Sequence, residues 1–321
     1  SKQKNKNQAK KENSMKKKFL LGVALVAALA MTACGGAKKT ESTAATTEKA
    51  SEMVSEAASE QASEVAEEAA EKTEVQVFVA ASLKNVMEDL GQQYEKEHPE
   101  VKLVFNADSS GKLLSQIQEG YACDIFFSAA QKQMNTLEEE GNLVEGTRKN
   151  VVNNQLCVVT LKDSGTKVSG LETLKDAKSI ALADGTVPVG KYTRQALVAL
   201  KILPETEDVS RISTQEISDA LGGVEISEQS NVSKVLAAVV EGSSEVGTTY
   251  YSDTYGYEDK IQILEKVSYD LTGNVIYPIA QIINEEASQE EQDAAKDFIA
   301  FVTSDGAKAT FEKYYFDTKV E

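Results

Sequence analysis

From Glu74 onward the chain alternates between strand-like and helix-like stretches, and no other feature constrains its fold as much. EVQVFVA (74–80) is β-branched and aromatic, and SLKNVMEDLGQQYEKE (82–97) sets Leu83, Val86, Leu90 and Tyr94 on one helical face. VKLVFNA reads as a strand, SGKLLSQIQEG as a helix closed by Gly120, CDIFFSA as a strand and QKQMNTLEEEG as a helix closed by Gly141. Such a βαβαβα order calls for a parallel sheet flanked by helices, because parallel neighbours need long crossover connections. A second set begins at NQLCVVTL (154–161). It continues through KSIALA (178–183), the helix GKYTRQALVALK (190–201), the amphipathic TQEISDAL (214–221), the helix NVSKVLAAVVEG (231–242) and the strand SEVGTTYY (244–251). The strands KIQILEK and NVIYPIAQII and two helical stretches, 288–302 and 305–315, complete it. No internal repeat is visible. The fold class is α/β, and the length exceeds what one small sheet needs, so two lobes are expected.

The first seventy-odd positions belong to a different kind of sequence. Residues 1–14 are polar and basic with no initiator, so Met15 is expected to be the true start, the upstream residues being an artefact or extension. Residues 15–33 combine three lysines, an apolar run and small residues before Cys34. The run 19–31 is short for a membrane span and reads as a secretory signal. Its ending, Met31-Thr32-Ala33-Cys34, resembles a bacterial lipobox, which implies lipidation of Cys34, a membrane anchor and an extracytoplasmic location. Residues 34–73 are rich in Ala, Glu, Ser, Thr and Lys and cannot bury a core, so they read as an acidic tether.

Charge narrows the partners. The formal net charge is -17, and loss of 1–33 would remove eight lysines and one glutamate, leaving -24. Nucleic acid is excluded as a partner of a basic surface, because the long-range field has the wrong sign. Cys123 and Cys157 lie in apolar, strand-like runs and are expected to be buried thiols rather than a disulfide. His98 is the only histidine, so no transition-metal site and no cofactor are expected.

In open α/β sheets ligands sit beyond the carboxyl ends of strands, where helix N-termini gather. Four strand-to-helix junctions here carry hydrogen-bond donors instead of acids: Ala81-Ser82, Ser109-Ser110-Gly111, Pro188-Val189-Gly190 and Asn231-Val232. Singly, each is explained as an ordinary cap or turn. Together they suit an anion, if they converge.

The ordered set VFVAASLKNVMEDL, SSGKLLSQIQEGYACDIFFSAAQKQMNTL, NNQLCVVT, VPVGKYTRQAL and YPIA resembles the molybdate-binding lipoproteins of ABC importers. The resemblance spans 74–317 and implies the two-lobed type 2 periplasmic-binding-protein fold, each lobe a mostly parallel sheet flanked by helices with the ligand in the cleft. It implies lobe 1 from 74–152 plus 284–321, lobe 2 from 153–283, and hinges near 152–154 and 282–284. By motif, Ser82 and Ser110 would supply hydroxyl and backbone N–H, Val189 and Val232 backbone N–H, and Tyr250 a phenolic hydroxyl, with Tyr251 a competing neighbour. The implied ligand is molybdate or tungstate, held with no direct metal ligands. The implied partner is an ABC permease, and a monomer is expected. Two positions depart from the family pattern: Asp108 precedes the serine pair, and Asp184-Gly185 stands in a slightly shortened loop before Val189. Asp108 is expected to face solvent or cap its turn. A carboxylate in the cleft would instead suit the protonated phosphate ion.

Rival classes find less support. A surface hydrolase built on Ser82 or Ser110 needs a nearby base, and the chain carries no G-x-S-x-G elbow, P-loop or zinc pattern. Sulfate or phosphate remains the alternative ligand, and a purely adhesive lipoprotein the third reading.

Overall fold

The computed structural model describes residues 72–320. The expected extension 1–14, the signal 15–33, Cys34 and the tether up to 71 lie outside the described residues. Two five-stranded sheets organise the described part.

The first sheet has the order β2-β1-β3-β10-β4, from β1 (Thr73–Ala80), β2 (Val101–Asp108), β3 (Ile125–Phe127), β4 (Lys149–Asn154) and β10 (Val275–Gln281). The second has the order β7-β6-β8-β5-β9, from β5 (Leu156–Leu161), β6 (Ser179–Ala183), β7 (Glu225–Gln229), β8 (Val246–Tyr250) and β9 (Ile261–Lys266). In each sheet three strands run parallel, the fourth is antiparallel to its neighbours, and the fifth returns to the common direction. Each sheet is therefore mostly parallel, as expected, and the single reversed strand (β10 or β5) is the first one laid down after the chain arrives from the other sheet.

Helices cover the sheets where their apolar stripes predict. α1 (Lys84–Glu97) buries Val86, Met87, Leu90 and Tyr94, and the turn before it buries Leu83. α2 (Ser110–Gln118), α3 (Gln131–Glu139), α4 (Pro188–Ala199), α5 (Thr214–Ala220), α6 (Val232–Val240), α7 (Tyr269–Thr272), α8 (Gln289–Val302) and α9 (Asp305–Lys313) follow. Cys123 and Cys157 are buried free thiols in different sheets' cores.

The expected domain limits need correcting. β10 lies between β3 and β4, so 275–283 belongs with the first sheet and not with lobe 2. The return crossover consequently falls at 272–275, and the hinge expected at 282–284 is instead pinned inside the first lobe: Ile282 N–H donates to Asp124 O at 2.8 Å and Ile283 N–H to Asn142 O at 2.8 Å. The outward crossover is Gln155, between β4 and β5, next to the expected 152–154. Asn154 pairs with Val275, so the two crossovers run side by side. Residues 153 and 154 also stay in the first sheet.

Candidate functional site

One cavity with about 200 Å³ of empty space is lined by Ala80, Ala81, Ser82, Ser109, Ser110 and Ala129 from the first lobe and by Val187, Pro188, Val189, Val232 and Tyr250 from the second. These residues follow the carboxyl ends of β1, β2 and β3 on one side and lie at or beyond the ends of β6, β7 and β8 on the other. All five expected binding residues therefore meet in one place. No charged side chain is among those lining it.

The local sequence explains how each donor is freed. Ser109, not Ser110, caps α2, accepting from Lys112 N–H at 3.3 Å. Ser110 becomes the first helical residue, and its Oγ accepts from Ala129 N–H at 2.9 Å. A serine oxygen so occupied keeps its own hydrogen to give. Asn231 caps α6 in the same manner, accepting from Lys234 N–H at 3.0 Å, which leaves Val232 as the first residue of the helix. Pro188 opens α4 with a fixed φ and no N–H to waste, so Val189 presents the first available amide. The opening N–H groups of a helix have no intrahelical partner.

The shortened loop still delivers Val189 to the cavity, and Gly190 explains how. A Cβ at Gly190 would lie 2.1 Å from Asp184 O, so only glycine lets α4 start this close to the loop. Arg194, buried on the same helix, ties it down: Nε donates to Ile212 O at 2.6 Å, and Nη1 to Ala183 O and Gly190 O at 2.9 and 3.0 Å. Its positive charge is spent on carbonyls behind the cavity wall.

Tyr250 and Tyr251 are now distinguished. Tyr250 is buried, lines the cavity, and its hydroxyl has no hydrogen-bond partner within the protein. Tyr251 turns the other way, stacking on Tyr315 at 4.7 Å beneath the Lys266 ammonium. An orphaned buried hydroxyl costs free energy unless something else engages it.

Asp108 both caps its turn and bridges the lobes, away from the cavity lining. Its Oδ1 accepts from Ser109 N–H at 2.8 Å and Asn231 Nδ2 at 3.3 Å, and Oδ2 pairs with Lys112 at 2.6 Å. Partial burial works to raise its pKa, but these partners outweigh it and hold the carboxyl below its ordinary range. Asp184 is likewise occupied, accepting from Thr186 N–H and Oγ1 at 2.8 and 2.5 Å.

Asp253 differs from both. It sits in the turn Tyr251–Thr254 that follows Tyr250, and burial pushes its carboxyl up to about 7. Its Oδ2 is buried without a partner. A folded-state pKa above the unfolded value means that the stability it contributes is complete below about pH 4 and is lost as pH rises toward 7. Asp253→Asn is expected to match the wild type in thermal melts near pH 4 and to melt several degrees higher at about pH 8. An equal difference at both pH values would sink this assignment.

His98, the remaining candidate base, ends α1 at its far end, about 20 Å along the helix from Ser82. It stacks on Tyr94 at 4.2 Å.

The match to known proteins agrees with this arrangement. The family model described as bacterial extracellular solute-binding protein matches residues 75–317. A solved structure, the substrate-binding domain of a putative molybdenum ABC transporter from Clostridium difficile, is 36% identical with a TM-score of 0.56, covering 77% of this chain and 99% of that one. The putative ABC transporter substrate-binding lipoprotein YvgL of Bacillus subtilis is 28% identical over 246 residues, 76% of this chain and 86% of its own length. The molybdate-binding protein ModA of Haemophilus influenzae is 26% identical over 252 residues, 77% of this chain and 91% of its own. A two-lobed fold with a small donor-lined cavity between its sheets, matched over nearly all of its described length, makes this chain a member of the bacterial extracellular solute-binding protein family.

Proposed function

We propose that this chain captures molybdate, and tungstate with it, outside the cytoplasm and delivers it to an ABC permease. The observation that carries the proposal is the donor-only cavity: serine and tyrosine hydroxyls and helix-opening N–H groups line it, and no carboxylate does. A fully deprotonated tetrahedral dianion is satisfied by donors alone, and hydrogen bonds to an ion are the strong ones. Hydrogen phosphate carries a proton and needs an acceptor, which Asp108 does not supply because its oxygens are engaged elsewhere. The names of the relatives point to the same ion. In this reading Ser82, Ser110, Val189, Val232 and Tyr250 hold the oxyanion, and the chain performs no catalysis.

Mechanistically, an open form takes the ion and the lobes close about the paired crossovers at Gln155 and 272–275. The closed form is what the permease recognises. Lipidation at Cys34 anchors the chain, as a monomer, to the outer face of the membrane.

Thermal melts with sodium molybdate, tungstate, sulfate and phosphate, each in excess, test the reading. Stabilisation by the first two alone is expected, since ligand binding to the native state adds about 2.7 kcal/mol at a hundredfold excess over Kd. A shift with phosphate or sulfate instead would overturn the choice of ion, and no shift with any would overturn the function. Tyr250→Phe separates ligand from fold: the ligand-free protein should melt no lower than wild type, because an orphaned hydroxyl is removed, while molybdate affinity in calorimetry falls about tenfold or more. A Tyr250→Phe variant that binds as tightly as wild type would remove the hydroxyl from the site.

A further inference from the structure

Behind Ser82 runs a buried chain of amide and hydroxyl groups that crosses both lobe connections. Asn154, the last residue of β4, donates from Nδ2 to Ser252 Oγ at 2.7 Å and to Tyr277 Oη at 3.0 Å. Its Oδ1 accepts from the backbone N–H of Gln155 at 2.9 Å and of Ser252 at 3.4 Å, which fixes which way the amide faces. Tyr277 Oη lies 2.9 Å from Ser82 Oγ. Ser82, Asn154, Ser252 and Tyr277 are all buried.

Tyr277 Oη already accepts the Asn154 N–H, and it shares a second hydrogen bond with Ser82 Oγ in which either oxygen can donate. When Tyr277 is the donor, Ser82 accepts from the protein side and its own hydrogen is free to turn into the cavity it lines. Ser110 reaches the same state by another route, through Ala129 N–H.

We propose that Tyr277, oriented by Asn154, donates its hydrogen to Ser82 and is a positioning residue that sets specificity: it biases the Ser82 hydroxyl toward donating into the cavity, which favours fully deprotonated oxyanions over those carrying a proton. This inference rests on the oxyanion reading above. Hydrogen phosphate needs a group that accepts its O–H, and a Ser82 hydrogen committed to the cavity meets that proton as a donor. Without that hydroxyl, Ser82 can rotate and accept.

Calorimetry with sodium molybdate, and the phosphate concentration that displaces half of it, would be measured for the wild-type chain, Tyr277→Phe, Ser82→Ala and the double variant. Tyr277→Phe is expected to weaken molybdate about tenfold and to narrow the molybdate-to-phosphate preference. In the Ser82→Ala background the same change should cost less than about twofold, because Tyr277 acts through Ser82. Equal losses in both backgrounds, or an unchanged preference, would overturn the relay and leave Tyr277 a purely structural residue. Should Tyr277→Phe fail to fold, Asn154→Ala removes the orienting N–H and enters the same cycle with the same expected coupling. A wild-type chain that binds none of the anions overturns the oxyanion reading itself. A wild type that binds, with a Tyr277→Phe variant that matches it, overturns the relay alone.

Discussion

Ser110→Ala is expected to weaken molybdate binding between about tenfold and a hundredfold, the range for a lost hydrogen bond to an ion. Two effects combine at this position. The hydroxyl proposed to bind the ion disappears, and the buried Ala129 N–H, which it satisfied at 2.9 Å, loses its acceptor. Ala129 also lines the cavity, so the orphaned amide is left at the wall itself. The ligand-free melting temperature should fall as well, since an unsatisfied buried donor costs about 1–3 kcal/mol. Tyr250→Phe makes the opposite comparison, losing affinity with no loss of ligand-free stability. Calorimetry with molybdate and a melt without it check both halves. Affinity within about twofold of wild type would take Ser110 out of the binding set, because one charged hydrogen bond exceeds that margin.

Through the family resemblance the sequence indicates which residues line the cavity, whereas the orientation of their hydrogen-bonding groups is not readable there. SSGK announces a helix start with hydroxyls, but only the structure shows that Ser109 caps the helix and thereby frees Ser110. Similarly, TTYY offers two tyrosines of equal standing, and the backbone decides which one turns inward. β4 and β7 escaped a reading by hydrophobic pattern because both are polar edge strands, KNVVNN and EISEQ, at the ends of their sheets. β10 was legible as a strand, yet its lobe was not: nothing in VIYPIAQ says which sheet will accept it. That choice depends on long-range pairing with β3 and β4, and it moved the second crossover by about ten residues from the expected position. The hydrogen bonds of Asn154 and Tyr277 are not readable in the sequence for a related reason. Their chemistry lies in contacts across 123 and 195 positions of sequence, to each other and to Ser82.

Arg194 is the clearest case of a role invisible in sequence, and its removal should give the largest stability loss. In GKYTRQALVALK it looks like an ordinary polar position on a helix. In the fold it is almost fully buried and donates to three carbonyls, those of Ile212, Ala183 and Gly190. Arg194→Leu keeps the apolar stem but leaves all three without that donor, for a cost on the order of 3–5 kcal/mol. For a body of this size that corresponds to roughly 10 °C in Tm. Arg194→Lys should recover little, because one ammonium on a flexible stem cannot reproduce a planar fork serving separate carbonyls. Function should suffer too. Ala183 ends β6 and Gly190 lies in the first turn of α4, so the guanidinium holds the strand end and the helix start together on either side of Val189. With that clamp gone, the Val189 amide is no longer fixed toward the cavity, and molybdate affinity should drop even well below the melting temperature. A variant that loses stability but binds as tightly as wild type would show that the loop and Gly190 position the amide unaided, and that Arg194 serves only the core.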